Sequence, residues 1–294
     1  MKCLIWGTGI IYSQNINNIK YYELLGSIQV VGVTSNTTAF GEILGYPYIC
    51  KRNIKELIFD IVVIMGSGTT FSEIEKEARG LGIDKWKIVS YKVFQLPNLD
   101  LKKYMEIRKN PPTIFANNCW GGLTYNKLGL EFTSPLINMF ESDEDYLKLL
   151  KNPAKYMNSL LKLQEERFEP VLQRYYPVCA CDDILLYFNH YTSFEEANEC
   201  WERRKKRINW DNLFIMMITE CMDIAIQFSE LPYRKKICFI PFDIKKTSLI
   251  YVDIYNNKEK HPFSEIVNGM ASGAYSYYDI VQLLYNGDIV RVSK

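Results

Sequence analysis

The sequence predicts an α/β protein of two domains. Three observations lead there: apolar runs of strand length alternate with helical segments, Gly-x-Gly pairs follow two of those runs, and Pro111-Pro112 interrupts the chain once, after Asn110. Its 294 residues fit two domains of about 100–200 residues each. A composition 48% hydrophobic and 14% aromatic supplies real cores and excludes a disordered chain.

From the N-terminus, Lys2–Trp6 reads as a short buried strand leading into Gly7-Thr8-Gly9, and a helix then runs to about Leu25, closed by Gly26. Ile28–Val33 and Ile61–Met65 are further apolar runs, the latter succeeded by Gly66-Ser67-Gly68. Thr70, three residues before Glu73, forms a capping-box pattern for a helix to about Leu81, and Trp86–Val89 makes a last strand. This alternation indicates a doubly wound parallel sheet, whose ligands bind outside the carboxyl ends of the strands. Gly7, Gly9, Gly66 and Gly68 are therefore candidates for holding a phosphate or nucleotide, since glycine lets backbone approach a ligand and a helix N-terminus attracts anions. The dinucleotide fingerprint is incomplete: Tyr12 stands where a small residue belongs, and Thr34-Ser35-Asn36 offers no carboxylate for a ribose. The cofactor stays unknown. With its Gly45-Tyr46-Pro47 segment, this stretch resembles the Rossmann-like domains attached to bacterial capsule and glycan enzymes.

A helix at Leu99–Arg108 precedes the prolines, which cannot sit inside one, so the domains are expected at 1–109 and 110–294. Thr113–Ala116 is a strand candidate entering Asn117-Asn118-Cys119-Trp120-Gly121-Gly122. Helices are expected at Ser134–Phe140, Ser142–Leu150 and Ala154–Phe168, and a strand at Ile184–Phe188 ahead of Asn189-His190-Tyr191. Ser193 and Glu196 form a second capping box, opening a helix to about Ile208 whose acids come early and bases late, as the macrodipole favours. Arg204 lies on that helix's apolar stripe with Ala197 and Trp201 and needs an anionic partner, either a structural carboxylate or a ligand phosphate or carboxylate. Strands at Leu213–Ile218, Lys236–Ile240 and Leu249–Tyr255 and helices at Cys221–Phe228, Ser264–Met270 and Tyr277–Tyr285 make the second domain α/β as well.

Several separated motifs carry a family resemblance. They are the Asn117–Gly122 hexapeptide, Leu128-Gly129-Leu130, Ser134-Pro135, Tyr176-Pro177-Val178, Asp183, His190-Tyr191, Trp201, Arg204, the run Arg207-Ile208-Asn209-Trp210-Asp211 and Leu231-Pro232-Tyr233. Over residues 113 to about 243 the chain resembles a bacterial family of unknown function often labelled exopolysaccharide-biosynthesis-like. The resemblance implies a link to surface polysaccharide or glycan biosynthesis and no mechanism.

The charges nearly cancel, 35 Lys plus Arg against 34 Asp plus Glu, which argues against a dedicated nucleic-acid binder. No apolar run approaches the roughly 20 residues that span a bilayer, and the run Lys2–Trp6 is too short for a signal-peptide core. Eight cysteines in apolar surroundings read as reduced thiols of a cytoplasmic protein. No metal site is expected, because Cys179, Cys181 and His190 leave a fourth ligand missing.

Three functions remain open. In the first, a transferase acts on a glycan precursor or sugar nucleotide: Arg204 and Arg207 hold phosphate, Trp120 or Trp201 stacks on sugar, Asn209 lies beside them, and His190 or Asp183 is the base. In the second, a non-enzymatic protein binds a nucleotide or sugar and an assembly partner, a homo-oligomer among the options. In the third, Cys119 and His190 form a dyad oriented by Asp182 or Asp183, with Asn117 or Asn118 and the amides near Gly121-Gly122 as oxyanion hole, for acyl transfer or hydrolysis. His261, in Lys258-Glu259-Lys260-His261-Pro262, reads as an exposed turn.

Overall fold

Strands buried on both faces explain the continuous apolar runs, since a parallel sheet is covered on each side. A computed structural model describes residues 1–36, 41–252, 262–272 and 278–290. The chain forms two compact units, Met1–Lys109 and Asn110–Lys294.

The first unit runs β1 (Lys2–Trp6), α1 (Ile10–Leu24), β2 (Gln29–Thr34), the small hairpin β3 (Glu42–Ile43) and β4 (Tyr46–Pro47), β5 (Ile61–Ile64), α2 (Gly68–Gly80), β6 (Ile88–Ser90) and α3 (Leu101–Lys109). Its main sheet is parallel, in the order β2-β1-β5-β6. Helix α2 lays Ile74 and Ala78 on Leu4, Trp6, Val62 and Ile64, while Cys3, Ile5 and Val63 of the opposite face are equally buried. Helix α2 begins two residues before Thr70, with Ser67 at its N-cap and no side-chain cap, so the expected capping box does not form. The backbone amides that a Thr70 cap would have served lie inside the helix.

The second unit runs β7 (Thr113–Ala116), α4 (Trp120–Leu128), α5 (Asp143–Lys151), α6 (Pro153–Asn158), β8 (Leu161–Glu169), β9 (Arg174–Cys181), β10 (Ile184–Tyr187), α7 (Phe194–Lys205), β11 (Leu213–Ile218), α8 (Met222–Glu230), β12 (Lys236–Ile240), β13 (Leu249–Tyr251), α9 (Phe263–Ser272) and α10 (Ile280–Asn286). A parallel sheet in the order β13-β12-β11-β7 forms its centre, and a separate antiparallel sheet has the order β10-β9-β8. Phe115, Ile215, Met217, Cys238 and Ile240 share one core with residues of α5, α7, α8 and the antiparallel sheet. On the other side Trp120 stacks on Phe214, and Tyr278 packs on Phe239.

One expected helix is absent and another is cut short. Residues 134–140 are irregular, interrupted by Pro135 and by Asn138 with φ of 61°. The expected helix at Ala154–Phe168 stops at Asn158, and Leu161–Glu169 is a strand instead. Its Lys, Gln, Glu and Arg residues suit a helix, but pairing with β9 overrides that local preference. No helix of the described residues is long and apolar enough to cross a membrane.

The edge strand β7 shows what holds the second sheet's outer rim. Its Thr113 amide bonds to the Asn212 carbonyl, beside β11, so the Ile114 amide points outward. The Tyr125 hydroxyl accepts from that amide at 2.8 Å, donates to the Pro112 carbonyl at 2.9 Å and contacts Thr133 Oγ1 at 2.8 Å, all buried. Replacing Tyr125 by Phe orphans the Ile114 amide. The variant should lose about 1–3 kcal/mol of stability, read as a lower urea midpoint at unchanged m-value.

Candidate functional site

The strand–helix junction after β7 places Cys119. Asn117 turns back onto β11: its Nδ2 donates to the Ile218 carbonyl at 2.9 Å and its Oδ1 accepts from the Ile218 amide at 3.0 Å. Nδ2 also reaches Asp143 Oδ1 at 3.3 Å, and the other Asp143 oxygen accepts from the Thr219 hydroxyl. Asn117 is thus committed to the sheet and is not an oxyanion donor. Asn118 caps the next turn, its Oδ1 accepting from the Trp120 amide at 2.8 Å, while its Nδ2 is buried without a partner. Cys119 sits at the N-cap of α4, and the Leu123 amide donates to its carbonyl. The amides of Gly121 and Gly122, in the first turn, have no intrahelical acceptor. Gly121 is small for packing: a Cβ there would lie 3.3 Å from Ile114 Cγ2 and 3.4 Å from Ala116 Cβ. Gly122 faces Ile137 and Asn138 Oδ1.

The exit of β10 places His190. Phe140 pairs with Tyr187 through two 3.0 Å backbone bonds, the Phe188 amide donates to the Pro177 carbonyl, and the Tyr191 amide donates to the Phe188 carbonyl. The Tyr191 hydroxyl donates to the Ile137 carbonyl at 2.7 Å and accepts from Arg204. His190, between these anchors, brings Nε2 to 3.6 Å from Cys119 Sγ, 71 residues away in the sequence.

Both members are neutral at rest. Burial pushes the Cys119 thiol above its ordinary range. Burial, with help from the Arg174 charge, holds His190 below the ordinary imidazole value, against an opposing pull from Glu169. A neutral thiol next to a neutral imidazole is not a preformed ion pair.

The other expected site residues have structural employment. Asp183 sits at the start of β10 and His190 three residues past its end, so a strand of four residues, about 13 Å long, separates them. Asp183 bonds Lys155 at 2.7 Å and the Tyr156 hydroxyl at 3.0 Å, and Asp182 pairs with Lys155 at 2.9 Å. Neither aspartate orients the imidazole. Trp120 is fully buried, stacked on Phe214 with its Nε1 on the Tyr278 hydroxyl, and Trp201 is fully buried edge-to-face with Phe188, so neither offers a face to a sugar. Arg207 pairs with Glu131 at 3.2 Å. Asn209 ties the entry of β7, its amide donating to Thr113 Oγ1 and its Nδ2 to Asn110 Oδ1 and the Pro111 carbonyl. Arg204 is buried, yet no carboxylate pairs with it among the described residues. The Tyr191 hydroxyl, the Ile137 carbonyl and the rings of Phe132 and Tyr191 surround it instead, so it positions the residue after His190 and holds no exposed phosphate.

In the first unit, Gly7 adopts φ of 116°, and a Cβ on it would come within 2.9 Å of the Met65 carbonyl oxygen, so this glycine is demanded by the close passage of the β1 and β5 exits. Gly9 is the N-cap of α1, Gly66 packs on Thr70, and Gly68 opens α2. His261 lies outside the described residues.

Similarity to known proteins covers both units. The sequence profile of a family described as a domain of unknown function, DUF1919, matches residues 90–285. The chain belongs to this family. The DUF1919 segment thus extends to both sides of the motif-bearing stretch and contains Cys119 and His190. Residues 1–89 are similar to the family described as C2185-like, N-terminal. An uncharacterised protein of Haemophilus influenzae is 36% identical over 132 residues, 43% of this chain and 60% of the relative. The chain thus spans about three fifths of that relative's length.

Sequence reasoning missed Arg174, Asn189 and Glu141. Arg174 and Asn189 flank His190, and only the hairpin of β8 and β9 brings Arg174 there. Glu141 is buried with neither carboxylate oxygen partnered, and burial, reinforced by Asp145, lifts its pKa to about 8.

These environments can be read in solution. Iodoacetamide alkylation of Cys119, measured by peptide mass mapping, should accelerate continuously from pH 6 through 9, with its midpoint above the ordinary thiol value of about 8.5. A rate plateau below pH 7 would reveal a preformed thiolate–imidazolium pair instead. Glu141, protonated in the fold up to about pH 8 but ionised in the unfolded chain above about pH 4.3, costs stability as pH rises between those values. Glu141→Gln should therefore be more stable than wild type at pH 7.5, by about 1–3 kcal/mol in urea unfolding, and the gain should vanish near pH 4.

Proposed function

We propose that the Cys119–His190 pair performs acyl transfer or hydrolysis through a thioester on Cys119. The observation that carries this reading is the 3.6 Å approach of Cys119 Sγ to His190 Nε2 at the N-terminus of α4. Sγ attacks an acyl carbonyl carbon as Nε2 takes the thiol proton. The bond to the leaving group then breaks, and the imidazolium returns that proton to the departing atom. The acceptor, water or an alcohol, next attacks the thioester, gives its proton to Nε2 and releases the thiolate, which recovers the proton from the imidazolium. The amides of Gly121 and Gly122 and Asn118 Nδ2 are the donors available for the tetrahedral oxyanion, and removing one such donor typically costs about 100–1000-fold in rate.

This reading supersedes the phosphate-holding transferase, whose Trp120, Trp201, Arg204 and Arg207 are occupied by core packing, hydrogen bonds or an ion pair. The resemblance to exopolysaccharide-biosynthesis proteins supports a sugar hydroxyl of a glycan precursor as the acceptor, which makes the product an ester.

Incubation with p-nitrophenyl acetate tests the chemistry. The wild type should release a burst of nitrophenolate and gain one acetyl group on Cys119, seen by peptide mass mapping. Cys119→Ser should lose the adduct, and His190→Gln should slow its formation by about 100-fold or more. Acetylation at other residues with none at Cys119 would reject the proposal.

A further inference from the structure

Residues flanking the thiol and the imidazole carry polar atoms that the fold leaves unsatisfied. Asn118 Nδ2, Arg174 Nε and Asn189 Oδ1 are buried without hydrogen-bond partners among the described residues. Asn118 adjoins Cys119 and Asn189 adjoins His190, while Arg174 Nη2 reaches the Asn189 carbonyl only at 3.4 Å. An orphaned buried polar atom is destabilising, and folded proteins keep few of them. All three atoms belong to residues on the segments that carry the Cys–His pair, where a ligand would supply the missing partners.

Arg174 sets the chemical class of that ligand. It opens β9 and stands opposite Glu169 in the hairpin register. Glu169 nevertheless directs a carboxylate oxygen to the Val171 amide at 3.2 Å. Glu196, whose carboxylate feels the Arg174 charge, accepts from the amide and hydroxyl of Thr192. No carboxylate therefore pairs with the Arg174 guanidinium among the described residues, although its charge is felt at His190. A guanidinium with a free, buried Nε is half of a charge-assisted fork for a carboxylate or phosphate.

We infer that Arg174 binds an anionic group of the substrate, carboxylate or phosphate, and so makes the Cys119–His190 site selective for acyl substrates that carry negative charge close to the reacting carbonyl. This inference rests on the reading of Cys119 as nucleophile, and the test separates the two.

The test compares iodoacetate with iodoacetamide, alkylating reagents of matched size that differ in charge. Their rates at Cys119 are taken as a ratio, because the ratio cancels any change in thiolate fraction, and glutathione gives the ratio of a free thiol. The wild type should favour iodoacetate over the glutathione ratio by about tenfold or more, the scale of one charge-assisted hydrogen bond. Arg174→Gln should return the ratio to that of glutathione, and Arg174→Lys should restore part of it. On the wild type itself, acetate or phosphate should slow iodoacetate labelling of Cys119, while chloride at equal ionic strength should not. Protection by acetate alone assigns a carboxylate, and protection by phosphate alone a phosphoryl group. A wild-type ratio equal to that of glutathione, or one unchanged in Arg174→Gln, overturns the anion site and leaves the nucleophile standing. If neither reagent labels Cys119 in the folded protein, the nucleophile falls and the anion site with it.

Discussion

The Asn117 side chain bonded to both backbone groups of Ile218 is the interaction on which the site depends. Strands β7 and β11 run parallel and end side by side, and the two bonds of one amide, at 2.9 and 3.0 Å, lock the exit of the first to the exit of the second. That lock sets the course of the next three residues: Asn118 caps the turn, Cys119 becomes the N-cap of α4, and Trp120 enters the core against Phe214. An amide serves better here than any apolar residue, because the Ile218 backbone would otherwise end the sheet with a part-buried donor and acceptor unmet.

His190 is held in a different way. Its own ring has Cys119 as hydrogen-bond partner, and its neighbours are fixed instead: Tyr191 through its hydroxyl to Ile137 and Arg204, and Phe188 through its amide to Pro177. The buried Arg204 makes sense in this frame. Its charge is spread over two aromatic faces and shared with a hydroxyl and a carbonyl, an arrangement suited to the weakly hydrated guanidinium and not to lysine. It is a positioning residue for the loop that carries the imidazole.

Environment then determines how the pair works. Burial raises the thiol and lowers the imidazole, so the two shifts act together against charge separation. The first turn of α4 offers partial positive charge to an anion at Cys119, and this compensates the desolvated thiol only when negative charge develops there. On the proposed acyl-transfer reading, the site stabilises charge during reaction more than at rest.

Much was legible along the chain because local signals and tertiary demands agree. Strand runs buried on both faces and the Ser193 cap, whose hydroxyl accepts from the Glu196 amide, are short-range features, each encoded within a few residues. The singular hexapeptide Asn117–Gly122 and the scarcity of histidine offered Cys119 and His190 as candidates. What could not be read locally is whatever depends on pairing between distant segments. Leu161–Glu169 has helix-forming residues and becomes a strand because β9 supplies its hydrogen bonds, and this same hairpin carries Arg174 to the imidazole. Trp201 and Arg207 share a short stretch of motif with Arg204, yet one is core and one is ion-paired, since burial and partners are properties of the folded chain and not of residue type. The meeting of Cys119 with His190 across 71 residues belongs to that second class: composition offers the two groups, and the tertiary packing of two separate sheets brings them together.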